Sequence, residues 1–292
     1  MIPQKIRKAV IPAAGFGTRF LPATKATPKE MLPLVDKPLI QYAVEEAVAA
    51  GCTDVIIVTG RGKTTMEDHF DRSPELEAAL RAKGRADLLK ITCAVSKLAR
   101  ISYVRQPEPL GLGHAVLMAK QLVGDEPFAV ILPDDIVDAE GGCLAQMVGA
   151  FDETQSTVLG TEVVEGDAIS MYGCLDCTDH PTNPRLVAVK NLVEKPKPQE
   201  APSQNAIIGR YILTPKIFEM IEQLTPGEGG ELQLTDAIKA LLQFEQVYGF
   251  HYVGQRYDAG DKLGFLKATV DFAIKHDGVG PAFREWLKSQ KF

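Results

Sequence analysis

The chain has 292 residues, of which 45% are hydrophobic and 24% are charged. These fractions are close to the averages of soluble globular proteins and exclude the disordered and fibrous classes, and the length suffices for one large α/β domain or two smaller ones. The formal net charge of −6 argues against broad nucleic-acid binding, because a nucleic-acid backbone requires a basic face. Any phosphate binding must therefore come from local basic loops.

The cysteines and the apolar segments indicate the cellular compartment. The five cysteines are scattered and odd in number, which is typical of reduced thiols. Cys174 and Cys177 form a CxxC without a second pair, which favours a strand over a metal site. The first apolar run is interrupted at Pro12 and Gly15, which argues against a secretion signal, and no run approaches the roughly 20 residues that span a bilayer. We therefore expect a cytoplasmic protein with no membrane partner.

The first 100 residues alternate strand and helix patterns. An apolar strand at residues 9–11, an amphipathic helix at 38–50 and a buried strand at 55–58 predict two parallel strands joined by a right-handed crossover. Residues 64–99 are predicted to be mostly helical, with an interruption at Pro74 and a second one at Gly84.

The alternation continues to the middle of the chain. A strand at 101–105, a helix that ends near residue 122 and a buried strand at 128–132 predict a doubly wound α/β sheet. Such sheets bind ligands at the carboxyl ends of their strands. The loop after the first strand and Asp134 would both lie in that crevice.

The second half of the chain changes character. Its strand-like segments are joined by connections that are too short for crossover helices, which predicts a mixed or partly antiparallel region. The predicted strands cover residues 158–164, 172–176, 186–194 and 206–213, and the predicted helices cover residues 215–223, 232–242, 262–275 and 281–288.

A glycine-rich loop follows the first strand and carries the strongest chemical signal. Gly15 and Gly17 allow backbone N–H groups to approach an anion closely. Arg19, Lys25 and Lys29 add positive charge to the same loop. The loop therefore predicts a site that holds a triphosphate.

Two other phosphate-binding motifs match poorly. A dinucleotide fingerprint lacks its third glycine here, and the second strand ends in the sequence Thr-Gly-Arg at 59–61 instead of an acidic residue. A P-loop ending at residues 62–64 would require a glycine at position 57, which is Ile57. We interpret residues 60–65 as a surface turn.

The loop motif resembles a known family signature. Gly-x-Gly-Thr-Arg at 15–19, followed by Pro22, Thr24-Lys25 and Pro28-Lys29, is similar to the signature of the sugar-1-phosphate nucleotidyltransferases. The likeness recurs in order along most of the chain, and it is greatest to the bacterial members that use UTP and glucose 1-phosphate. The further matching segments are 106–115, 132–135, Gly173, 193–196 and 256–261.

The resemblance implies a fold and a division of the chain. It implies one nucleotidyltransferase domain over residues 1–292, with a doubly wound, Rossmann-like mixed sheet of the GT-A-like kind. Within it, residues 1–150 form the nucleotide-binding half and 151–260 a β-rich sugar-binding half. Helices at 261–292 form a tail that provides an oligomer contact, which implies a homodimer or homotetramer.

The resemblance also implies the reaction. A phosphate oxygen of glucose 1-phosphate attacks the α-phosphorus of UTP, which gives UDP-glucose and pyrophosphate. Such a transfer needs charge neutralisation and alignment more than a covalent nucleophile, so we expect Mg²⁺ and lysines to dominate the site.

Two aspartates are candidate metal ligands. Asp134 follows a buried strand, where a carboxylate is costly unless it is paired or binds a metal; capping of a helix N-terminus is the alternative. The resemblance adds Asp258 as the second metal ligand. Asp135 should point to the other side of the strand end, and we group it with the nucleotide-binding residues.

The remaining candidate residues are assigned to the two substrates and to the leaving pyrophosphate. Arg19 and Lys29 are expected to act on the leaving pyrophosphate, and Lys195 to neutralise the sugar phosphate, so these three are the candidate catalytic residues. Gln106 can donate to and accept from a uracil edge, although it could instead belong to a turn, and His114 is interpreted as a packing or capping residue. The candidate nucleotide-binding residues are Ala13, Ala14, Gly15, Gly17, Thr18, Lys25, Gln106, Gly111 and Asp135, and the candidate sugar-binding residues are Gly173, Glu194 and Lys195.

Two alternative functions remain open at this point. One is a thymidylyltransferase that acts on the same sugar phosphate, because uracil and thymine differ by one methyl group, worth about 1–3 kcal/mol in a pocket. The other is a catalytically silent regulatory homologue that binds a nucleotide sugar. The presence of Asp134, Asp258, Lys29 and Lys195 argues against the silent homologue.

Overall fold

The structure is a computed structural model that describes residues 4–227 and 230–291. Its first half alternates strands and helices, which confirms the prediction for this region. In chain order it contains β1 (Lys8–Ala13), β2 (Pro33–Leu34), β3 (Lys37–Pro38), α1 (Leu39–Ala49), β4 (Asp54–Thr59), α2 (Thr64–Phe70), α3 (Pro74–Ala82), α4 (Ala86–Val95), β5 (Arg100–Arg105), α5 (Leu112–Met118), α6 (Lys120–Val123) and β6 (Phe128–Ile131).

The second half contains every strand and helix that the sequence predicts there. It also contains several elements that the sequence does not predict. The additional elements are a long helix, α7, and the short strands β7, β12 and β13. In chain order the elements are β7 (Asp135–Asp138), α7 (Gly142–Thr154), β8 (Val158–Val163), β9 (Gly173–Asp179), β10 (Leu186–Glu194), β11 (Asn205–Leu213), α8 (Lys216–Gln223), α9 (Leu234–Leu241), β12 (Tyr248–His251), β13 (Gln255–Asp258), α10 (Lys262–Lys275) and α11 (Gly280–Ser289).

A nine-stranded mixed sheet forms the centre of the molecule, in the order β5-β4-β1-β6-β11-β8-β12-β10-β9. The strands β5, β4, β1 and β6 are parallel to one another. β11 runs antiparallel to both β6 and β8, so the direction of the sheet changes at that point. The doubly wound first half and the partly antiparallel second half are therefore confirmed.

Helices cover both faces of this sheet. Successive residues of β1 point to opposite faces, so Val10 packs in one buried cluster and Ile11 in the other. The Ile11 cluster includes residues of α1, α2 and α7, and the Val10 cluster includes residues of α5, α8 and α9. Because both faces are buried, the central strands are apolar throughout, which is the pattern that the sequence shows.

A buried ion pair joins the sheet to the helices on one face. Arg210 of β11 is 1% exposed, and its guanidinium donates to both carboxylate oxygens of Glu46 in α1, at 3.0 and 2.7 Å. The same guanidinium donates to the carbonyls of Leu132 and Asp135, at 3.2 and 2.6 Å. Glu46 also accepts from the backbone N–H of Leu144 at the start of α7, at 2.9 Å. Arg210 thereby fixes the turn at residues 132–135 to two helices.

Within the described residues, the helices are all too short or too polar to cross a bilayer.

We expect Arg210→Met to lower the free energy of unfolding by about 3–5 kcal/mol, because it leaves the carboxylate of Glu46 buried without its partner. Urea denaturation at constant pH measures this loss. The matched control is Lys120→Met, which removes an exposed ion pair with Glu222 at 2.6 Å and should cost no more than about 1 kcal/mol. Equal costs for the two variants would contradict a special role for Arg210.

Candidate active site

The glycine-rich loop folds back over the end of β1. Gly17 has a φ of +65°, and a Cβ there would lie 3.0 Å from Cβ of Lys29. The hydroxyl of Thr24 donates to the carbonyl of Gly17 at 2.7 Å. A side chain at position 17 would therefore be strained and would displace Lys29, so the glycine brings the lysine to the centre of the site.

A first cavity of about 350 Å³ lies beside this loop. It contains four of the predicted nucleotide-binding residues, namely Ala14, Gly15, Lys25 and Gln106. Gly111 does not line the cavity, but its carbonyl accepts a hydrogen bond at 3.1 Å from the amide of Gln106, which does. The other predicted nucleotide-binding residues, which are Ala13, Gly17, Thr18 and Asp135, do not line this cavity.

A second cavity of about 310 Å³ lies on the other side of the crevice. All three predicted sugar-binding residues, Gly173, Glu194 and Lys195, line it, and so do both predicted metal ligands, Asp134 and Asp258. The carboxyl ends of the parallel strands and the β-rich half thus meet there, as the sequence predicts.

Charged side chains converge around Gly260. A Cβ at this glycine would lie 2.7 Å from Oδ2 of Asp134 and 3.1 Å from Oδ1 of Asp258, so the two carboxylates flank one position. Nζ of Lys29 donates to Oδ2 of Asp134 at 2.5 Å, and a guanidinium nitrogen of Arg19 lies 3.5 Å from the carbonyl of Gly260. The candidate pyrophosphate and metal residues are therefore neighbours.

The pair of Lys29 and Asp134 carries opposite charges. Burial is the largest single influence and opposes ionisation of both groups, but the pairing of the two groups and the other charges nearby together outweigh it, so the pKa of Asp134 lies below and that of Lys29 above its ordinary value. Burial, together with the nearby charge of Asp135, raises the pKa of Asp258.

Strand β7, not a helix, follows Asp134 directly, which excludes the alternative that Asp134 caps a helix N-terminus.

Asp135 has hydrogen-bond partners different from that of Asp134. Its Oδ2 accepts from the backbone N–H of Gly209 at 2.7 Å, and its Oδ1 accepts from Nε of Arg256 at 2.5 Å. The aspartate is buried and lies at the wall of the second cavity, away from the first. Both of its oxygens are thus bound by protein groups, and its grouping with the nucleotide-binding residues remains a prediction.

Glu194 is the last residue of strand β10, opposite Gly173 of β9, and Lys195 follows it. The hydroxyl of Thr235 donates to Oε2 of Glu194 at 2.7 Å, and Nζ of Lys195 lies 3.5 Å from Oε1. Lys195 has a φ of +43°, which is uncommon for a residue other than glycine and is typical of functional sites. A Cβ at Gly173 would lie 3.3 Å from Oε2 of Glu194, so a larger residue would crowd this carboxylate.

The interpretation of residues 60–65 as a surface turn is wrong for Lys63. This lysine is 8% exposed, and its Nζ donates to the carbonyl of Ala13 at 2.5 Å and to Glu30 at 2.9 Å. Burial lowers the pKa of Lys63 and raises that of Glu30, and their pairing offsets part of both shifts. Lys63 lines the first cavity together with Arg61. The partners are distant in sequence, so no local pattern could have identified this contact.

Comparisons with known proteins identify the family of this chain. A family model described as nucleotidyl transferase matches residues 8–273. A Bacillus subtilis (strain 168) protein named UTP–glucose-1-phosphate uridylyltransferase is 53% identical over 272 residues, covering 93% of this chain and 92% of that protein. A relative of Staphylococcus saprophyticus, named UTP–glucose-1-phosphate uridylyltransferase 2, is 50% identical over 99% of each chain.

Solved structures share the same fold. A UTP-bound UGPase from Acinetobacter baumannii matches with a TM-score of 0.91 at 42% identity, over 98% of this chain and 100% of that one. A UDP-glucose pyrophosphorylase complexed with UDP-glucose matches with a TM-score of 0.83 at 42% identity, over 93% of this chain and 100% of that one. These matches confirm the resemblance read from the loop motif, and the chain belongs to the nucleotidyl transferase family.

Proposed function

We propose that this protein transfers the uridylyl group of UTP to glucose 1-phosphate, which gives UDP-glucose and pyrophosphate. The observation that carries the proposal is the ion pair of Lys29 and Asp134, at 2.5 Å, because it joins the phosphate-binding loop to the wall of the second cavity. UTP would occupy the first cavity and glucose 1-phosphate the second. The names of the relatives at 53% and 50% identity support this choice of substrates.

The loop provides the contacts for the nucleotide. Backbone groups at Ala14 and Gly15 and the amide of Gln106 line the cavity where the uracil would bind. Lys25 is exposed at the rim of the same cavity and would attract the triphosphate. Arg19 and Lys29 lie on the side of Gly260, where the leaving pyrophosphate would develop charge. Fixed cations at that place stabilise the transition state more than the substrate.

The donor set at Gly260 fits a magnesium ion. Two carboxylates, from Asp134 and Asp258, approach one position, and hard oxygen ligands are those that Mg²⁺ prefers. In the part of the chain that the structure describes, no group of three or more acidic, histidine or cysteine side chains is arranged to hold a metal ion, so phosphate oxygens and water would complete the coordination. When bound, Mg²⁺ supplies positive charge that neutralises the phosphates. Asp134 and Asp258 would hold it.

The second cavity provides the contacts for the sugar phosphate. Glu194 can accept hydrogen bonds from sugar hydroxyls, and the 2.7 Å hydrogen bond from Thr235 fixes one of its oxygens. Lys195 would neutralise the phosphate of glucose 1-phosphate, so that its oxygen can approach the α-phosphorus of UTP. The residues of the chain align two anions and offset their repulsion, and no covalent nucleophile is required.

We also propose a cytoplasmic location and a homodimer or homotetramer. All five cysteines are free thiols, which is compatible with a reducing compartment. Helix α10 exposes Leu263 and Leu266, each at 60%, and α11 exposes Trp286 at 55%. These exposed apolar side chains on the C-terminal helices support an oligomer contact there.

We expect pyrophosphate release when the protein is mixed with UTP, glucose 1-phosphate and Mg²⁺, and much slower release with ATP, GTP or CTP. An enzyme-coupled pyrophosphate assay measures the rate, and reactions without the sugar phosphate control for hydrolysis. No release with any nucleotide would contradict an enzyme. Faster release with dTTP than with UTP would show that the protein is a thymidylyltransferase.

Asp134→Asn should lower kcat by roughly 100-fold while the chain stays folded, since a neutral amide cannot offset the charge of Lys29 or hold a cation equally well. Initial rates over a range of Mg²⁺ concentrations, with circular dichroism for folding, test this. Asp138→Asn is the control, because it changes an aspartate that pairs with Lys275 outside both cavities. Retained activity of Asp134→Asn would remove Asp134 from the metal site.

Glu194→Gln should raise the KM for glucose 1-phosphate by about 10- to 100-fold, since a charged acceptor of a sugar hydroxyl is lost, and leave the KM for UTP nearly unchanged. Steady-state kinetics with each substrate varied in turn separates the two effects. The exposed Glu200→Gln serves as control. An equal rise of both KM values would argue against a contact of Glu194 with the sugar.

A further inference from the structure

Gln106 is held in one orientation by two neighbours. This residue directly follows β5, is 7% exposed, and lines the first cavity. Its Nε2 lies 3.1 Å from the carbonyl oxygen of Gly111. Because a carbonyl oxygen only accepts hydrogen bonds, the side-chain atom that faces Gly111 must be the amide nitrogen.

His114 binds the same nitrogen. Its Nδ1 lies 3.0 Å from Nε2 of Gln106. An amide nitrogen donates and does not accept, so Nδ1 of His114 must be the acceptor, and its imidazole is then neutral with the proton on Nε2. Both hydrogens of the Gln106 amide are thus used, one by Gly111 and one by His114.

The carbonyl oxygen of Gln106 is consequently left for a ligand. Among the described residues, Oε1 is the polar atom of this side chain that has no protein partner, and it is not one of the fully enclosed polar atoms. An oxygen in this position can only accept a hydrogen bond. The Watson–Crick edge of uracil carries one donor, N3–H, whereas cytosine has an unprotonated N3 in the same place.

We propose that His114 is a positioning residue for base selection, which fixes the Gln106 amide so that Oε1 accepts from N3–H of uracil and rejects cytosine. The proposal rests on the proposed function, since it assumes that the base of UTP enters the first cavity. Thymine keeps the same N3–H, so this pair of residues does not separate uracil from thymine. From the sequence, His114 is interpreted as a packing or capping residue. Neither role predicts a part in base selection.

The experiment measures dissociation constants for UTP, 5-methyl-UTP and CTP by calorimetry, in the absence of glucose 1-phosphate. His114→Leu fills the position with an apolar side chain that cannot accept a hydrogen bond. We expect its preference for UTP over CTP to fall by about five- to tenfold, because the amide of Gln106 can then turn, while the ratio of UTP to 5-methyl-UTP stays constant.

His114→Gln is the conservative variant, since its side-chain oxygen can accept from the amide of Gln106. We expect it to restore the preference for UTP over CTP. His180→Leu, in the turn between β9 and β10, controls for the loss of a histidine. An unchanged UTP to CTP ratio in His114→Leu, or an equal weakening of all three nucleotides in both His114 variants, would overturn the proposal.

A spectroscopic measurement tests the contact independently of the substrate. In the ligand-free wild-type chain, the ¹⁵N chemical shifts of the His114 ring should report a proton on Nε2 and none on Nδ1, with the signal assigned through His114→Gln. A proton on Nδ1 would overturn the proposal. Equal binding of CTP and UTP by the wild type would also overturn it, whereas if this tautomer is found but the wild type does not bind UTP, the proposed function fails instead.

Discussion

The buried ion pair of Arg210 and Glu46 is the contact on which the catalytic edge of the sheet depends. Arg210 comes from the strand at which the sheet changes direction, and Glu46 from the helix that covers the parallel half. Between them lies the turn at residues 132–135, whose carbonyls accept from the same guanidinium. A charge this deeply buried is tolerated only with its partners in place, so the turn that carries Asp134 is held to one position.

The junction of the two halves explains why the site lies where it does. The strand β6 pairs with β11, and the backbone N–H of Leu132 donates to the carbonyl of Gly209 at 2.9 Å. The carboxylate of Asp135 then accepts from the same glycine, so the end of the parallel sheet is fixed to the β-rich half. One half contributes the glycine-rich loop, and the other contributes the cavity with Glu194 and Lys195.

Close approaches at glycines bring the charges together. Gly260 leaves space for two carboxylates, and Gly17 leaves space for Lys29. Each position would clash with a Cβ, so the cations and anions of the site can lie within hydrogen-bonding distance. Burial of Lys29 and Asp134 is costly, and their pairing offsets part of that cost, which is the direction in which the pairing shifts the pKa of each group.

The sequence by itself determined the alternating strands and helices, the change to an antiparallel region and the family, because each of these depends on local periodicity or on a contiguous motif. It did not predict α7, whose interior includes Gly149, or the four-residue strands β7, β12 and β13, which are too short to show a period. Only the tertiary structure decided which charges are buried. Arg210 and Glu46 are separated by 164 positions, and Lys63 and Glu30 by 33, so neither pair leaves a local signal. The stability of a buried charge depends on a partner that only folding brings near.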